Sequence, residues 1–196
     1  MRHQFSPIIA ALCASLLFCG STSATAQTQQ QAKKAKPAVM RAKPVGVADL
    51  DKDGMPNLLS HAFMVFDPTS GRALFSKNAD QAMPIASITK LMTAMVVLDA
   101  KQNMDEPIIV DKDDIDTLKG TSSRIPVGAA FRREDLMRLA LMASDNRAAA
   151  ALGRSYPGGT LAFVQAMNAK AQLLGLHHSK FVEPTGLAPG NVSSPL

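Results

Sequence analysis

Ser87 and Lys90 stand three positions apart, separated by Ile88 and Thr89, at the head of a long apolar run. Residues at i and i+3 share one face of a helix, so a helix starting here brings the amine of Lys90 to the hydroxyl of Ser87. Serine is a weak nucleophile until a neighbouring base takes its proton. An amine sunk in an apolar helix is desolvated, which lowers its pKa and makes the neutral, proton-accepting form accessible. The helix N-terminus favours developing negative charge, and the N–H of Ser87 can supply one oxyanion donor. A plainer reading competes: Ser87 as a helix cap, and Lys90 as a surface residue with its stem along the core.

A second polar group follows. Ser144-Asp145-Asn146 separates the apolar end of one helical stretch from Arg147-Ala148-Ala149-Ala150-Ala151. A tight loop between two such helices directs side chains into a cleft. There Ser144 can relay a proton between Lys90 and a leaving amine, while the amide of Asn146 orients Lys90 and binds a substrate carbonyl. Ser, Asp and Asn are also good helix caps, so a capping turn is the alternative.

The elements that must position these groups are legible in outline. Ala62 to Phe66 and Ala73 to Phe75, joined by Asp67-Pro68-Thr69-Ser70-Gly71, predict an antiparallel hairpin. From Ser87 to about Lys101 the chain has almost no polar face, which predicts a helix buried all round. Ile108 to Val110 predicts a strand, and Arg132 to Ala143 and Arg147 to Gly153 predict helices. Thr160 can cap a further helix whose apolar positions Leu161, Val164, Met167 and Leu174 run to Gly175. A strand pair, helices and a return to strands indicate an α+β domain, an antiparallel sheet packed against a helical cluster.

The order S-x-x-K then S-D-N resembles penicillin-binding proteins and class A β-lactamases. Pro84 to Ala94 is similar to the nucleophile segment of the low-molecular-weight D-alanyl-D-alanine peptidases. Lys119-Gly120-Thr121-Ser122-Ser123-Arg124, Leu141 to Ala149, and Phe181-Val182-Glu183-Pro184-Thr185-Gly186-Leu187 resemble their D-alanyl-D-alanine endopeptidase branch, the penicillin-binding protein 7 type. The resemblance spans about Ala62 to Ser194. It implies a β-lactamase/transpeptidase-like fold and a serine D,D-endopeptidase acting on D-alanyl crosslinks of peptidoglycan. Ser87 would attack, Lys90 would be the base, and Ser144 with Asn146 would assist proton transfer and substrate placement. It also implies acylation by β-lactams and neither metal nor organic cofactor.

One departure stands out. The family completes its site with a K-T-G strand, and no such triplet follows Ser144. The expectation is therefore a partial catalytic domain over residues 61–196 with its C-terminal strands missing. A D,D-carboxypeptidase or a β-lactamase, which needs a separate water-activating acid, and a non-catalytic wall-binding or regulatory fragment are the competing readings. No water-activating role can be assigned to Glu183 from sequence.

Composition frames these readings. In 196 residues, 46% are hydrophobic, enough for a real core in one domain. The first 26 residues join Arg2 to an apolar stretch from Pro7 to Cys19 and end on Ala24-Thr25-Ala26. That pattern predicts a signal peptide cleaved after Ala26 and a periplasmic product. The alternatives are a membrane anchor, for which the run is short, and a lipid anchor on Cys19, where the bulky Phe18 is unfavourable. Cys13 and Cys19 are the only cysteines, so cleavage leaves no thiol for a disulfide, a zinc–thiolate site or nucleophilic catalysis.

The net charge of +5 is unevenly spread. Lys33, Lys34, Lys36, Arg41 and Lys43 fall in an acid-free stretch, whereas the body from Ala48 holds 15 basic residues against 16 acidic ones. Residues 27–60 thus read as a basic disordered linker and lead-in. The linker either touches anionic wall polymer or lipid head groups weakly or is a solvated spacer. Without Trp, and with one Tyr, the chain offers no nucleic-acid-binding surface.

Overall fold

A computed structural model describes residues 50–52 and 54–196. The signal-peptide, cysteine and basic-stretch readings lie outside the described residues. The hairpin forms as expected: β1 (Phe63–Asp67) pairs antiparallel with β2 (Arg72–Lys77), with an irregularity between Val65 and Phe66. Asp67 sets the turn by accepting the N–H of Thr69 at 2.9 Å and the hydroxyl of Ser70. Next comes β3 (Met83–Pro84), which leads into a 3₁₀ turn (Ala86–Ile88) and then helix α1 (Thr89–Asp99).

Strand β4 (Pro107–Ile109) pairs antiparallel with β5 (Ala130–Arg132), a partner the sequence reading did not foresee. A 3₁₀ turn (Lys112–Asp114) lies between them. Helices α2 (Arg133–Met142), α3 (Asn146–Arg154) and α4 (Gly159–Leu173) follow, and β6 (Val192–Ser193) returns to pair with β3. Among the described residues the sheet component is thus three separate two-stranded antiparallel ladders.

The core lies among helices α1 to α4. Met92, Val96 and Val97 of α1, Leu136 and Ala140 of α2, and Phe163 and Met167 of α4 converge there. Between them runs α3, whose Ala148, Ala149 and Ala151 are fully buried. A side chain of one carbon lets backbones approach closely, so this alanine run lets α3 sit inside the cluster. Burial of these helices fixes where α1 and α3 begin, and both beginnings carry the candidate site.

Two expectations need correction. Helix α1 is not buried all round, because Leu91 and Leu98 are 59% and 55% exposed. They stand seven residues apart, on one face of the helix. Hydropathy registers their apolar character but not which neighbour covers them. Thr160 does not cap α4: Gly158 is the N-cap, at φ 88°, with no side-chain cap bond. A left-handed entry suits glycine, so Thr160 falls inside the first turn. At the other end Gly175, at φ 72°, lets Leu176 N–H return to the carbonyl of Ala171 at 2.9 Å, closing the helix as expected.

Candidate active site

Ser87 is delivered by a strained turn. Ala86 has φ 46°, a left-handed backbone that costs a non-glycine residue about 1–2 kcal/mol. The turn places Ser87 exposed at the head of α1 while Thr89 and Lys90 point inward, 0% and 2% exposed. Lys90 Nζ lies 3.0 Å from Ser87 Oγ, 2.7 Å from Asn146 Oδ1 and 2.7 Å from the carbonyl of Thr185. Three neighbours therefore surround the amine, and none is a carboxylate. Burial is the largest influence on its pKa and lowers it, with Glu183 and Asp145 offsetting part of the effect from a distance.

The S-D-N triplet divides its labour. Ser144, at φ 54°, makes the sharp corner between α2 and α3. Asp145 is the N-cap of α3, accepting the N–H of Ala148 at 2.9 Å, and also accepts the hydroxyl of Ser123 at 2.8 Å. Asn146, the first residue of α3, turns to Lys90. Adjacent residues thus cap α3 and face Lys90. Ser144 is exposed and hydrogen-bonds neither Ser87 nor Lys90, so three of the four sequence-derived site residues meet and the fourth stands beside them.

The segment 181–191 carries residues that sequence reasoning left without a role. Gly186, at φ 87°, presses its backbone on the turn that carries Ser87: a Cβ there would sit 1.9 Å from the carbonyl oxygen of Ala86 and 3.0 Å from Ser87 N. Only glycine fits. Pro184 O accepts the hydroxyl of Thr93 at 2.7 Å, and Asn191, fully buried, donates to Thr89 Oγ1 at 3.2 Å. Ile85 N–H donates to the carbonyl of Asn191 at 3.1 Å. The strained turn is thus clamped by a loop about a hundred residues further along.

Glu183 holds that loop together. One carboxylate oxygen accepts the N–H and hydroxyl of Thr185, at 2.6 and 2.5 Å. The other accepts the N–H of Gly186 at 2.6 Å and the amide of Asn191 at 2.8 Å. Both oxygens are therefore engaged in shaping the loop. The carbonyl of Thr185 could not be found from side-chain types, since any residue carries one.

Beside Asn146 a cavity of about 310 Å³ opens, lined also by Asp116, Ala150, Arg154, Thr185 and Leu187. No group of three or more His, Cys, Asp or Glu side chains among the described residues is arranged to hold a metal ion.

The architecture is that of a D,D-transpeptidase. The crystal structure of the Streptomyces K15 DD-transpeptidase matches with a TM-score of 0.65 at 28% sequence identity, over 71% of this chain and 58% of that one. The family model described as D-alanyl-D-alanine carboxypeptidase matches residues 49–195, and the chain belongs to that peptidase family.

Its relatives include the D-alanyl-D-alanine endopeptidase of Pseudomonas aeruginosa, 50% identical over 146 residues, or 73% of this chain and 47% of that protein. The D-alanyl-D-alanine endopeptidase of Escherichia coli is 48% identical over 139 residues, or 71% of this chain and 45% of that protein. The chain spans about half the length of the curated relatives it matches.

Proposed function

We propose that the protein is a serine D,D-endopeptidase that hydrolyses D-alanyl crosslinks of peptidoglycan through an acyl-enzyme on Ser87. The observation carrying this reading is the valence of Lys90. A neutral amine has two N–H groups and one lone pair. Asn146 Oδ1 and the Thr185 carbonyl, both at 2.7 Å, accept the two N–H groups, which leaves the lone pair for Ser87 Oγ at 3.0 Å.

The steps follow from that geometry. Lys90 takes the Ser87 proton as Oγ attacks the D-alanyl carbonyl, and the oxyanion forms at the N–H of Ser87 at the head of α1. The proton passes to the leaving amine, with exposed Ser144 as the relay at the mouth of the site. Water then hydrolyses the ester, and Lys90 serves again as base. β-Lactams enter the same first step and acylate Ser87.

The names of the relatives at 50% and 48% identity favour crosslinks as substrate. A D,D-carboxypeptidase is the second reading, favoured by the description of the family model. Incubation with purified crosslinked and uncrosslinked muropeptides separates them. Endopeptidase action turns crosslinked dimers into monomers, whereas release of terminal D-alanine alone would favour the second reading. Loss of neither product in a Ser87→Ala variant would overturn both.

The proposed organisation is a leader over residues 1–26, a basic linker over 27–60 and a catalytic domain over 61–196, exported to the periplasm. The leader pattern and the acid-free basic stretch support it. Mass determination of the secreted product tests the cleavage after Ala26.

A further inference from the structure

Asn146 can help Lys90 only if its amide is the right way round, with oxygen toward the amine. The structure shows what decides this. Asn146 Nδ2 donates to Thr121 Oγ1 at 2.9 Å, and Thr121 Oγ1 lies 2.7 Å from Asp116 Oδ2. Asp116 also accepts the backbone N–H groups of Leu118, Lys119 and Thr121, at 2.8, 3.0 and 2.8 Å. Desolvation pushes its carboxyl up, but these donors outweigh it and hold the group ionised, below the usual carboxylate range.

An ionised carboxylate only accepts, so the single hydroxyl proton of Thr121 goes to Asp116. The Thr121 oxygen then has only lone pairs to offer, and it takes the NH₂ end of Asn146. The amide oxygen is left facing Lys90. A flipped amide would set oxygen against oxygen at Thr121 and N–H against the protonated amine, losing both bonds. It would also offer an N–H to the lone pair that the neutral amine needs for Ser87.

We infer that Thr121 and Asp116 are positioning residues that fix the orientation of the Asn146 amide and thereby reserve the lone pair of Lys90 for Ser87. This rests on the reading of Lys90 as the base for Ser87. Neither residue touches the reacting atoms. They act through one hydrogen-bonded chain, Asp116 to Thr121 to Asn146 to Lys90.

Titration of the Lys90 side chain, followed through its ¹³Cε resonance in the full chain, tests the chain of bonds without requiring turnover. In Thr121→Val the amide loses its anchor, the ammonium loses part of its acceptor, and the Lys90 pKa falls by about half a unit or more. Thr121→Ser keeps the hydroxyl and restores the original titration. Thr121 is exposed and outside the core, so both variants fold, and Thr121→Ala gives the same fall as Thr121→Val if packing at the valine interferes.

Unchanged titration in Thr121→Val and Thr121→Ala would overturn the inference, as would an equal shift in Thr121→Ser. Penicillin labelling run alongside separates the two levels: label surviving in Ser87→Ala rejects the underlying reading. Label lost in Ser87→Ala, with Lys90 indifferent to residue 121, rejects the positioning role alone.

Discussion

Two cations are buried in this domain to nearly the same degree, Lys90 at 2% and Arg133 at 1% exposed, yet their surroundings differ in kind. Arg133 reaches a carboxylate, Glu106, at 2.5 Å, together with the carbonyl of Asn103 and the hydroxyl of Ser155. Lys90 reaches a hydroxyl, an amide oxygen and a backbone carbonyl. Arginine, ion-paired with Glu106, braces the start of α2. Lysine among neutral acceptors has its charge disfavoured by burial, which is the condition the proposed base needs. What separates the two buried cations is the nearest anion, not the depth.

Substitution should therefore affect the two regions in opposite ways. Lys90→Ala is expected to slow acylation of Ser87 by about 10²- to 10⁴-fold, the range for loss of a general base, measured with a fluorescent penicillin. Arg133→Met should leave the acylation rate of the folded fraction nearly unchanged. A comparable loss of rate in the folded Arg133 variant would erase the distinction.

Stability reverses the order. Arg133→Met is expected to cost about 1–3 kcal/mol in urea unfolding, since it removes the guanidinium's bonds to Glu106, to the carbonyl of Asn103 and to the hydroxyl of Ser155. Gly186→Ala belongs to the same range, about 1–3 kcal/mol for overpacking, and unlike Arg133→Met it also lowers acylation because the displaced atoms belong to Ala86 and Ser87. Wild-type rates in Gly186→Ala would show that the loop does not hold the nucleophile turn.

The smallest expected effect is on the pH dependence of stability. Burial lowers the folded-state pKa of Lys90 from its ordinary 10.5, so between the two values the unfolded chain binds the extra proton. Stability conferred by the wild-type residue must rise with pH across that window. Relative to Lys90→Met, the wild type should gain ground in urea unfolding as pH is raised toward about 10. A gap that widened in the other direction would mean that Lys90 is held as a cation.

What the sequence could reveal follows the range of its interactions. The spacing of Ser87 and Lys90 lies within one helical turn, and the 3.0 Å contact follows directly. Asn146 was legible only together with the Ser87–Lys90 pair, because taken alone the polar triplet reads as the capping turn that Asp145 does make. The Thr185 carbonyl, 95 residues from Lys90, has no side-chain signature. Gly186 is needed for a close approach to Ala86 that appears only once the chain has folded back. The exposed Leu91 and Leu98 escaped for a related reason, since periodicity reports apolar faces and not their neighbours.

Activation of Ser87 by a buried amine is the proposal on which the mechanism depends. Its most direct test is mass spectrometry of the protein after brief exposure to benzylpenicillin, with proteolytic mapping of the adduct across a range of pH. One penicilloyl group is expected on the peptide holding Ser87, formed faster as pH rises through the lowered pKa of Lys90 and lost in Lys90→Ala. An adduct on another residue, or one formed at an undiminished rate without the amine, would contradict it.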